Sequence, residues 1–286
     1  MTLVIAHKLN SLVSLSSDSR ISFPRNKHVD LGIKILSVPV KISSPTSQET
    51  GVSTLDYNHT LGVAVTGSTM NASLVKESIS EILQHLQYLP GYTNFSMSGI
   101  ANLVFKVYER ISNDLYNAIE DAGISTLILG GYCPVLNRIQ LFEYGATVLP
   151  DETLAPFHKE ILSTNGDEFY GSGAPEAKIV YAAGQRQPLH IIRDVIRRGN
   201  VPSVGGGFQY GEFDGTTHDF KIFGVQDYKL YPDGSFEKYI DTLRGLNIYE
   251  GSLEREYDGF HIAYTQKMPF QGEVDAITNN LINGTP

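Results

Sequence analysis

The chain begins with a pair of strands, and the hydrophobic pattern of the first predicts burial on both faces. Residues 2–9 and 12–17 predict two short strands joined by a tight turn at Asn10-Ser11. In the first strand both alternating sets are largely apolar, with Leu3, Ile5, His7 and Leu9 on one face and Val4, Ala6 and Lys8 on the other. We therefore expect this first strand to be covered on both sides.

Composition excludes several classes of protein. No apolar run is long enough to cross a bilayer, and residues 1–30 lack the basic start and apolar core of a secretory signal. We therefore expect a cytoplasmic protein with no membrane partner. A net charge of -9 without a Lys/Arg cluster argues against a nucleic-acid partner. The single Cys133 and eight scattered histidines predict no disulfide, no metal site and no cofactor.

The remaining pattern alternates runs of strands with paired helices. Strands are predicted at 33–38, 60–66, 125–132, 138–144, 157–163, 205–213, 218–225 and 227–231. Helices are predicted from Asn71 or Ser73 to Pro90, from Ser98 to Gly123, and over 174–198 with a break near 184–188. Residues 39–59 are predicted to form a loop or hairpin insertion. In the less regular tail, Tyr239, Leu243, Leu246 and Ile248 are expected to anchor a short helix and an extended end. This order predicts an α+β fold in which two sheets pack together and are covered by helices.

Thr2 is the candidate nucleophile. If Met1 is removed, Thr2 carries its own free α-amine, and a hydroxyl and a base then lie in a single residue. Such a residue needs a cation, a carboxylate that holds the cation, and a backbone N–H for the oxyanion. Asp18 at the end of the second strand, Lys34 in the third and Gly67 before the first helix offer one of each.

Each of these residues also has a plain structural interpretation. Asp18 with Arg20 is typical of a surface turn. Lys34 is also compatible with an edge strand from which its amine reaches solvent. Gly67 is also typical of a simple turn, and a threonine at position 2 carries no meaning by itself.

Together, however, these residues resemble the β-subunit family of proteasomes, which includes the bacterial relatives HslV and Anbu. The resemblance is carried by Thr2, Ser17-Asp18-Ser19-Arg20, Lys34 and Ala64-Val65-Thr66-Gly67-Ser68. Asp18 follows Thr2 by 16 residues (18 − 2) and Lys34 follows it by 32 (34 − 2), the offsets of the family.

The resemblance continues downstream and covers roughly residues 2–235. Gly171-Ser172-Gly173 is similar to the turn whose serine supports the threonine amine in the family. The stretch from Asn200 through Ser203 to Gly205 is similar to the loop that completes the site. Many members have aspartate where Asn200 stands, so the role of Asn200 is left open. By analogy, Ile21, Gly32, Leu36 and Val65 line a specificity pocket.

The resemblance implies a four-layer αββα sandwich of the N-terminal-nucleophile (Ntn) hydrolase type. It places the hydrolase domain at 1–236, with an insertion at about 39–59 and an extension at 237–286 packed on the same domain. It also implies a homo-oligomeric ring or open helical ring, and it leaves an ATPase partner open.

The implied activity is that of a threonine peptidase acting on peptides or proteins. Its catalytic residues would be Thr2, Asp18, Lys34, Gly67, Ser172 and Ser203, and activity would require that an aminopeptidase remove Met1. Three alternatives remain at this point: an inactive ring subunit, an Ntn amidohydrolase acting on small molecules, and, most weakly, an unrelated α+β binding protein.

Overall fold

The computed structural model describes residues 2–23, 25, 27–45, 51, 53–92, 95–230, 236–247, 256–257, 260–261 and 264–272. Within these residues, no helix has the length and apolar character needed to cross a membrane.

The elements are numbered in chain order. The strands are β1 (Val4–Leu9), β2 (Leu12–Asp18), β3 (Ile21–Ser22), β4 (His28–Val29), β5 (Ile35–Ser43), β6 (Leu55–Gly67), β7 (Leu86–Gln87), β8 (Ser125–Cys133), β9 (Arg138–Val148), β10 (Leu154–Ile161), β11 (Gly166–Tyr170), β12 (Phe208–Phe213), β13 (Phe220–Leu230), β14 (Phe236–Leu243), β15 (Leu246–Asn247), β16 (Glu256–Tyr257), β17 (Phe260–His261) and β18 (Gln266–Lys267). The helices are α1 (Thr69–Ile82), α2 (Met97–Ile119), α3 (Ala174–Ala182) and α4 (Pro188–Arg198), with a short 3-10 turn at Glu120–Gly123.

Two large sheets form the centre of the molecule. The first has the strand order β11-β1-β2-β12-β13-β14-β15, and β18 also pairs with β13. The second has the order β10-β9-β8-β6-β5-β7. The pairs around β1 and β2 are antiparallel, so the starting hairpin occupies the interior of the first sheet.

Alternation along β1 and the residue before it assigns side chains to two different cores. Leu3 and Ile5 pack with the helices α3 and α4 in one cluster. Val4 and Ala6 point the other way and pack between the two sheets, with Ala64 of β6 among their neighbours. The prediction that the first strand is buried on both faces is confirmed, because helices cover one face of this sheet and the second sheet covers the other.

A third cluster lies between the second sheet and the helices α1 and α2. Val75 of α1 and Val104 of α2 pack there against Val63 and Leu127 of the sheet. Three apolar interfaces therefore separate four layers, in the order helices, sheet, sheet, helices. This confirms the predicted four-layer αββα architecture.

Local turn and cap chemistry explains several boundaries. Leu9 pairs with Leu12, so Asn10-Ser11 is a two-residue turn as predicted, with Asn10 at a φ of 55°. The helix α1 begins earlier than predicted because Ser68 is its N-cap and accepts a hydrogen bond from the N–H of Asn71. In the same way, Ser96 caps α2 in place of Ser98.

The insertion at 39–59 is largely a hairpin. The strands β5 and β6 extend into it and stay paired from Ile35–Ala64 to Ser43–Leu55, while residues 46–50 and 52 lie outside the described part. A period of two explains the pairing, since Val38, Val40 and Ile42 are buried against the helix layer.

The short helix predicted in the tail that begins near Tyr239 is wrong, because the described part of this segment is extended. Residues Phe236–Leu243 form β14, which pairs antiparallel with β13, and Leu246–Asn247 return as β15, while residue 248 lies outside the described part. The edge of β13 offers unpaired backbone groups, and pairing with them overrides a weak helical pattern. The strand β11 was also not predicted, because its residues lack a clear apolar alternation. The proposed domain boundary at residue 236 stays a prediction.

Candidate active site

Thr2 lies buried immediately before β1, and the turn from Gly171 to Gly173 holds its backbone. The N–H of Gly173 donates to the carbonyl oxygen of Thr2 at 3.1 Å. Gly171 has a φ of 85°, and a Cβ at this position would lie 2.2 Å from the same oxygen. Only glycine allows this approach, so the turn fixes the position of Thr2.

The carboxylate of Asp18, at the end of β2, is the centre of the site. Its side chain is fully buried. Five donors surround it, three on Oδ1 and two on Oδ2: Thr2 Oγ1 at 2.5 Å, Leu3 N at 2.9 Å and Lys34 Nζ at 2.8 Å, then Arg20 N at 3.1 Å and Gly205 N at 3.0 Å. These bonds hold the carboxylate in one orientation, against both the hydroxyl and the ammonium group.

Lys34 lies directly before β5 rather than inside it, and its side chain is buried. Its Nζ contacts both Thr2 Oγ1 and Asp18 Oδ1. Burial lowers the pKa of Lys34, and the negative charge of Asp18 opposes this shift. The amine next to the candidate nucleophile is therefore less firmly protonated than an exposed lysine.

Gly67 is the last residue of β6 and lines the same cleft as Thr2 and Lys34. Val65 N donates to the carbonyl oxygen of Lys34 at 3.0 Å. Because N–H directions alternate along a strand, the N–H of Gly67 points to the same edge, just beyond the start of β5. Gly67 has a φ of 87°, and a Cβ there would lie 2.7 Å from the carbonyl oxygen of Ile124. The conformation and the space at this position both require glycine.

A cleft of about 770 Å³ opens over these residues. Thr2, Lys34 and Gly67 line it, together with the first residues of α1. The four residues expected in a specificity pocket all line the same cleft, namely Ile21, Gly32, Leu36 and Val65. A substrate in this cleft would meet apolar walls next to a hydroxyl and an amine.

The two predicted serines pair with each other. Ser172 Oγ and Ser203 Oγ lie 2.7 Å apart. Among the described residues, neither hydroxyl hydrogen bonds to Thr2, Asp18 or Lys34. The turns that carry the serines nevertheless reach the site, because Gly173 and Gly205 donate their backbone N–H groups to Thr2 and Asp18.

Asn200 lies apart from this group. It is exposed and donates to Glu176 Oε1 at 3.2 Å on the surface of the molecule. The structure thus brings Thr2, Asp18, Lys34 and Gly67 together around one cleft, with the serine pair behind them.

Gln209 of β12 is a positioning residue that the sequence analysis missed. Its fully buried amide accepts from Lys34 N at 2.9 Å and Ile35 N at 3.1 Å. It donates to the carbonyl oxygens of Gly32 at 2.6 Å and Asp18 at 3.3 Å. One side chain therefore joins the two sheets at the site. The signal in the sequence was a polar residue between two aromatic residues, Phe208 and Tyr210.

Arg20 braces the segment that follows Asp18. It forms a two-pronged ion pair with Asp30, at 2.7 and 2.9 Å, and donates to the carbonyl oxygen of Pro202 at 3.0 Å. The hydrogen bonds from Arg20 hold the pKa of Asp30 below its ordinary value. No cluster of three or more His, Cys, Asp or Glu side chains suited to a metal ion occurs in the described part of the chain.

The four-layer αββα sandwich, with Thr2 two residues before an inner strand of the first sheet, is the fold of Ntn hydrolases of the proteasome-subunit type. Solved structures of this kind are similar to the chain. Anbu (ancestral beta-subunit) from Yersinia bercovieri is 16% identical, with 77% of this chain and 86% of that chain covered at a TM-score of 0.50.

A second similar structure is the helical assembly of the Anbu complex from Pseudomonas aeruginosa. It is 13% identical, with 77% of this chain and 85% of that chain covered at a TM-score of 0.51. No family model matches the sequence, and no curated protein matches it. The likeness therefore establishes the fold, and the roles of individual residues depend on the geometry described above.

Proposed function

We propose that the protein is a proteasome-type threonine peptidase, related to Anbu, that cleaves amide bonds with Thr2 as the nucleophile. One observation carries the proposal. Thr2 Oγ1 contacts both Lys34 Nζ and Asp18 Oδ1 at the base of a cleft beside the N–H of Gly67. These groups are the nucleophile, cation, carboxylate and oxyanion donor that such a reaction needs.

The reaction begins with attack of Thr2 Oγ on the substrate carbonyl carbon. The hydroxyl proton passes to the α-amine of Thr2, directly or through water, and the N–H of Gly67 donates to the oxyanion. Collapse of the tetrahedral intermediate releases the amine product, which takes up that proton, and leaves an ester on Thr2. Water then hydrolyses this ester and regenerates the hydroxyl.

Each neighbouring group lowers one barrier. Lys34 keeps the α-amine uncharged by electrostatic repulsion and stabilises negative charge near Oγ, while Asp18 orients Lys34. One oxyanion donor contributes roughly 2.7–4 kcal/mol, so the backbone of Gly67 matters as much as the nucleophile. The α-amine is free only if Met1 is removed, and Met1 lies outside the described residues.

The test combines intact mass with peptide cleavage. We expect protein lacking Met1 to cleave a panel of fluorogenic peptides and the Thr2→Ala variant to lose at least about 99% of that activity, in the range for loss of a covalent nucleophile. Thr2→Ser should retain part of the activity. The exposed Thr147→Ala is the matched control and should cleave like the unaltered protein. If Thr2→Ala lacking Met1 cleaves at the same rate as the unaltered protein, the mechanism is wrong.

Self-association is part of the proposal. The similar structure from Pseudomonas aeruginosa is a helical assembly, and we infer that this chain also forms a homo-oligomeric ring or open helical ring. Electron microscopy together with light scattering would show the assembly, and a stable monomer at micromolar concentration would contradict it. A cytoplasmic location stays a prediction, and an ATPase partner stays open.

Two other functions each have one supporting observation. Thr2 is only 2% exposed, and its hydroxyl is engaged on two sides, which suits an inactive structural subunit. The cleft of about 770 Å³ is also within the size range of small-molecule sites, which suits an amidohydrolase for small amides. Comparing peptide substrates with small amides separates these functions, because an inactive subunit cleaves neither.

A further inference from the structure

The turn between β14 and β15 reaches the candidate active site. This turn consists of Arg244 and Gly245, since Leu243 pairs with Leu246. Arg244 lines the cleft that contains Thr2. A Cβ on Gly245 would lie 2.5 Å from the Cβ of Ser19, so the turn packs directly on the residue that follows Asp18.

Each of the other cations that line the cleft is paired with a carboxylate, whereas the Nε of Arg244 is not hydrogen bonded within the described residues. Arg20 is paired with Asp30, Lys34 with Asp18, and Lys76 with Glu77, at N–O distances of 2.7, 2.8 and 2.7 Å. The Nε of Arg244 is buried and has no hydrogen-bond acceptor among the described residues. Burial is the one cause that lowers the pKa of Arg244, whereas a nearby carboxylate would raise it.

The backbone at this turn gives no local reason for arginine. Arg244 has a φ of 53° and Gly245 a φ of 84°, the left-handed pair of a two-residue hairpin turn. Asparagine and glycine suit the first position of such a turn, while the Cβ of most other residues makes this conformation cost roughly 1 kcal/mol. A partly desolvated guanidinium at an unfavourable turn position is best explained by a ligand that it binds.

We propose that Arg244 is a specificity-determining residue that binds a carboxylate of the substrate inside the cleft. A guanidinium presents two parallel N–H donors to a carboxylate, and the bond strengthens where water is excluded. Ile21, Leu36 and Val65 add apolar walls to the same cleft. Its other cations, Arg20, Lys34 and Lys76, are each paired with a carboxylate, which leaves Arg244 to bind the anion. The preferred substrate is an acidic peptide, and this inference rests on the proposed peptidase function.

The carboxylate has two sources that share this chemistry. It belongs either to a Glu or Asp side chain next to the cleaved bond or to the free C-terminus of a short peptide. Two pairs of probes distinguish them. The first pair is an N-acetylated tripeptide coumarin amide ending in Glu or in Gln. The second pair is an N-acetylated tripeptide ending in leucine, as the free acid or as the carboxamide.

Two measurements test the inference separately from the peptidase function. Cleavage of the first pair gives a ratio of kcat/KM for acid over amide. Calorimetric binding of both pairs to the Thr2→Ala variant gives the same preference without any chemistry. We expect one acid probe to be preferred by about tenfold or more, as for one bidentate charge-assisted bond.

The variants are chosen to keep the turn intact. Arg244→Asn removes the charge but suits the left-handed turn, and we expect it to abolish the preference for the acid probe. Arg244→Lys keeps the charge and should retain part of the preference. Lys106→Gln removes an exposed cation of α2 outside the cleft and should leave the preference unchanged.

The outcomes are distinct. If neither acid probe is preferred, or if the preference survives Arg244→Asn, the inference is overturned, whether or not peptides are cleaved. If the unaltered protein cleaves no peptide but the Thr2→Ala variant binds an acid probe through Arg244, the peptidase proposal fails, and Arg244 is a carboxylate-binding residue of a site without peptidase activity.

Discussion

Asp18 accepts five hydrogen bonds, whereas Asp18 is the one anion that Lys34 Nζ contacts within the described residues. This difference leads to a prediction about stability. Asp18→Asn removes the only anion on Lys34 Nζ within the described residues, and breaking a buried ion pair in this way costs about 3–5 kcal/mol. In this variant the side-chain oxygen of asparagine can still accept the hydrogen bonds that Oδ1 of Asp18 accepts. Its NH2 group then faces the N–H groups of Arg20 and Gly205, and each orphaned donor adds about 1–3 kcal/mol.

Lys34→Met perturbs the same pair from the other side and should cost far less. The carboxylate of Asp18 keeps its four other donors, so its charge stays solvated by the protein. The loss is one charge-assisted hydrogen bond, offset in part because a buried ammonium group no longer has to be desolvated. We expect about 1–2 kcal/mol for this variant, and we expect Asp18→Asn with Lys34→Met to be more stable than Asp18→Asn alone.

The assay is urea unfolding at one fixed protein concentration, since any self-association would add to the apparent stability. The chain has no tryptophan, so circular dichroism is the appropriate signal. An unchanged dependence on urea concentration shows that the difference lies in stability rather than in the extent of unfolding. If Lys34→Met destabilises the protein as much as Asp18→Asn does, the reasoning about donors and charge is refuted.

Two further substitutions and one pH dependence are predicted from the same geometry. Gly67→Ala combines an unfavourable φ with a backbone clash, so we expect a loss of about 2–4 kcal/mol in the free energy of unfolding, measured by denaturation. Gln209→Leu orphans two buried backbone N–H groups, and we expect it to cost about 2–5 kcal/mol and to speed hydrogen exchange at Lys34. Because the pKa of Lys34 is lowered in the fold, the unfolded chain binds its proton more readily between that pKa and the ordinary value of 10.5. Stability relative to Lys34→Met should therefore rise with pH in this window.

Controls for these changes are available within the chain. Gly91 has a φ of 84°, close to that of Gly67, but a Cβ there would meet nothing within 4 Å. Gly91→Ala should thus cost only the φ strain of about 1 kcal/mol, and an equal loss at both glycines would contradict the steric argument. A stability difference that falls with rising pH would contradict the assignment to Lys34, and unchanged exchange in Gln209→Leu would contradict its positioning role.

Much of the layered fold follows from local pattern. The two-sided apolar character of residues 3–6 predicts a strand with cores on both faces, and the structure places Leu3 and Val4 in two different clusters. The helical stripes and the Asn10-Ser11 turn are equally local signals. The failures have a common cause as well, because β11 and β14 are strands through pairing with distant partners and not through their own sequence.

In the candidate site, too, some residues could be predicted from the sequence and others could not. The grouping of Thr2, Asp18 and Lys34 could be predicted because their offsets in the sequence match those of the proteasome β-subunit family that the chain resembles. The positioning role of Gln209 could not be predicted from the sequence, because Gln209 contacts Lys34 across 175 residues of sequence. The pairing of Ser172 with Ser203 in place of a direct contact with Thr2 was likewise beyond reach.

The sequence by itself determined the alternation of β1, the nucleophile candidate at its start, and the offsets of Asp18 and Lys34 from Thr2. Only the tertiary structure decided that Gly205 completes the shell of Asp18 and that Arg244 enters the cleft. The physical reason is the range of the interactions. Periodicity and turn chemistry act over a few neighbouring residues, whereas a buried carboxylate collects its donors from whichever distant segments the packed sheets bring to it.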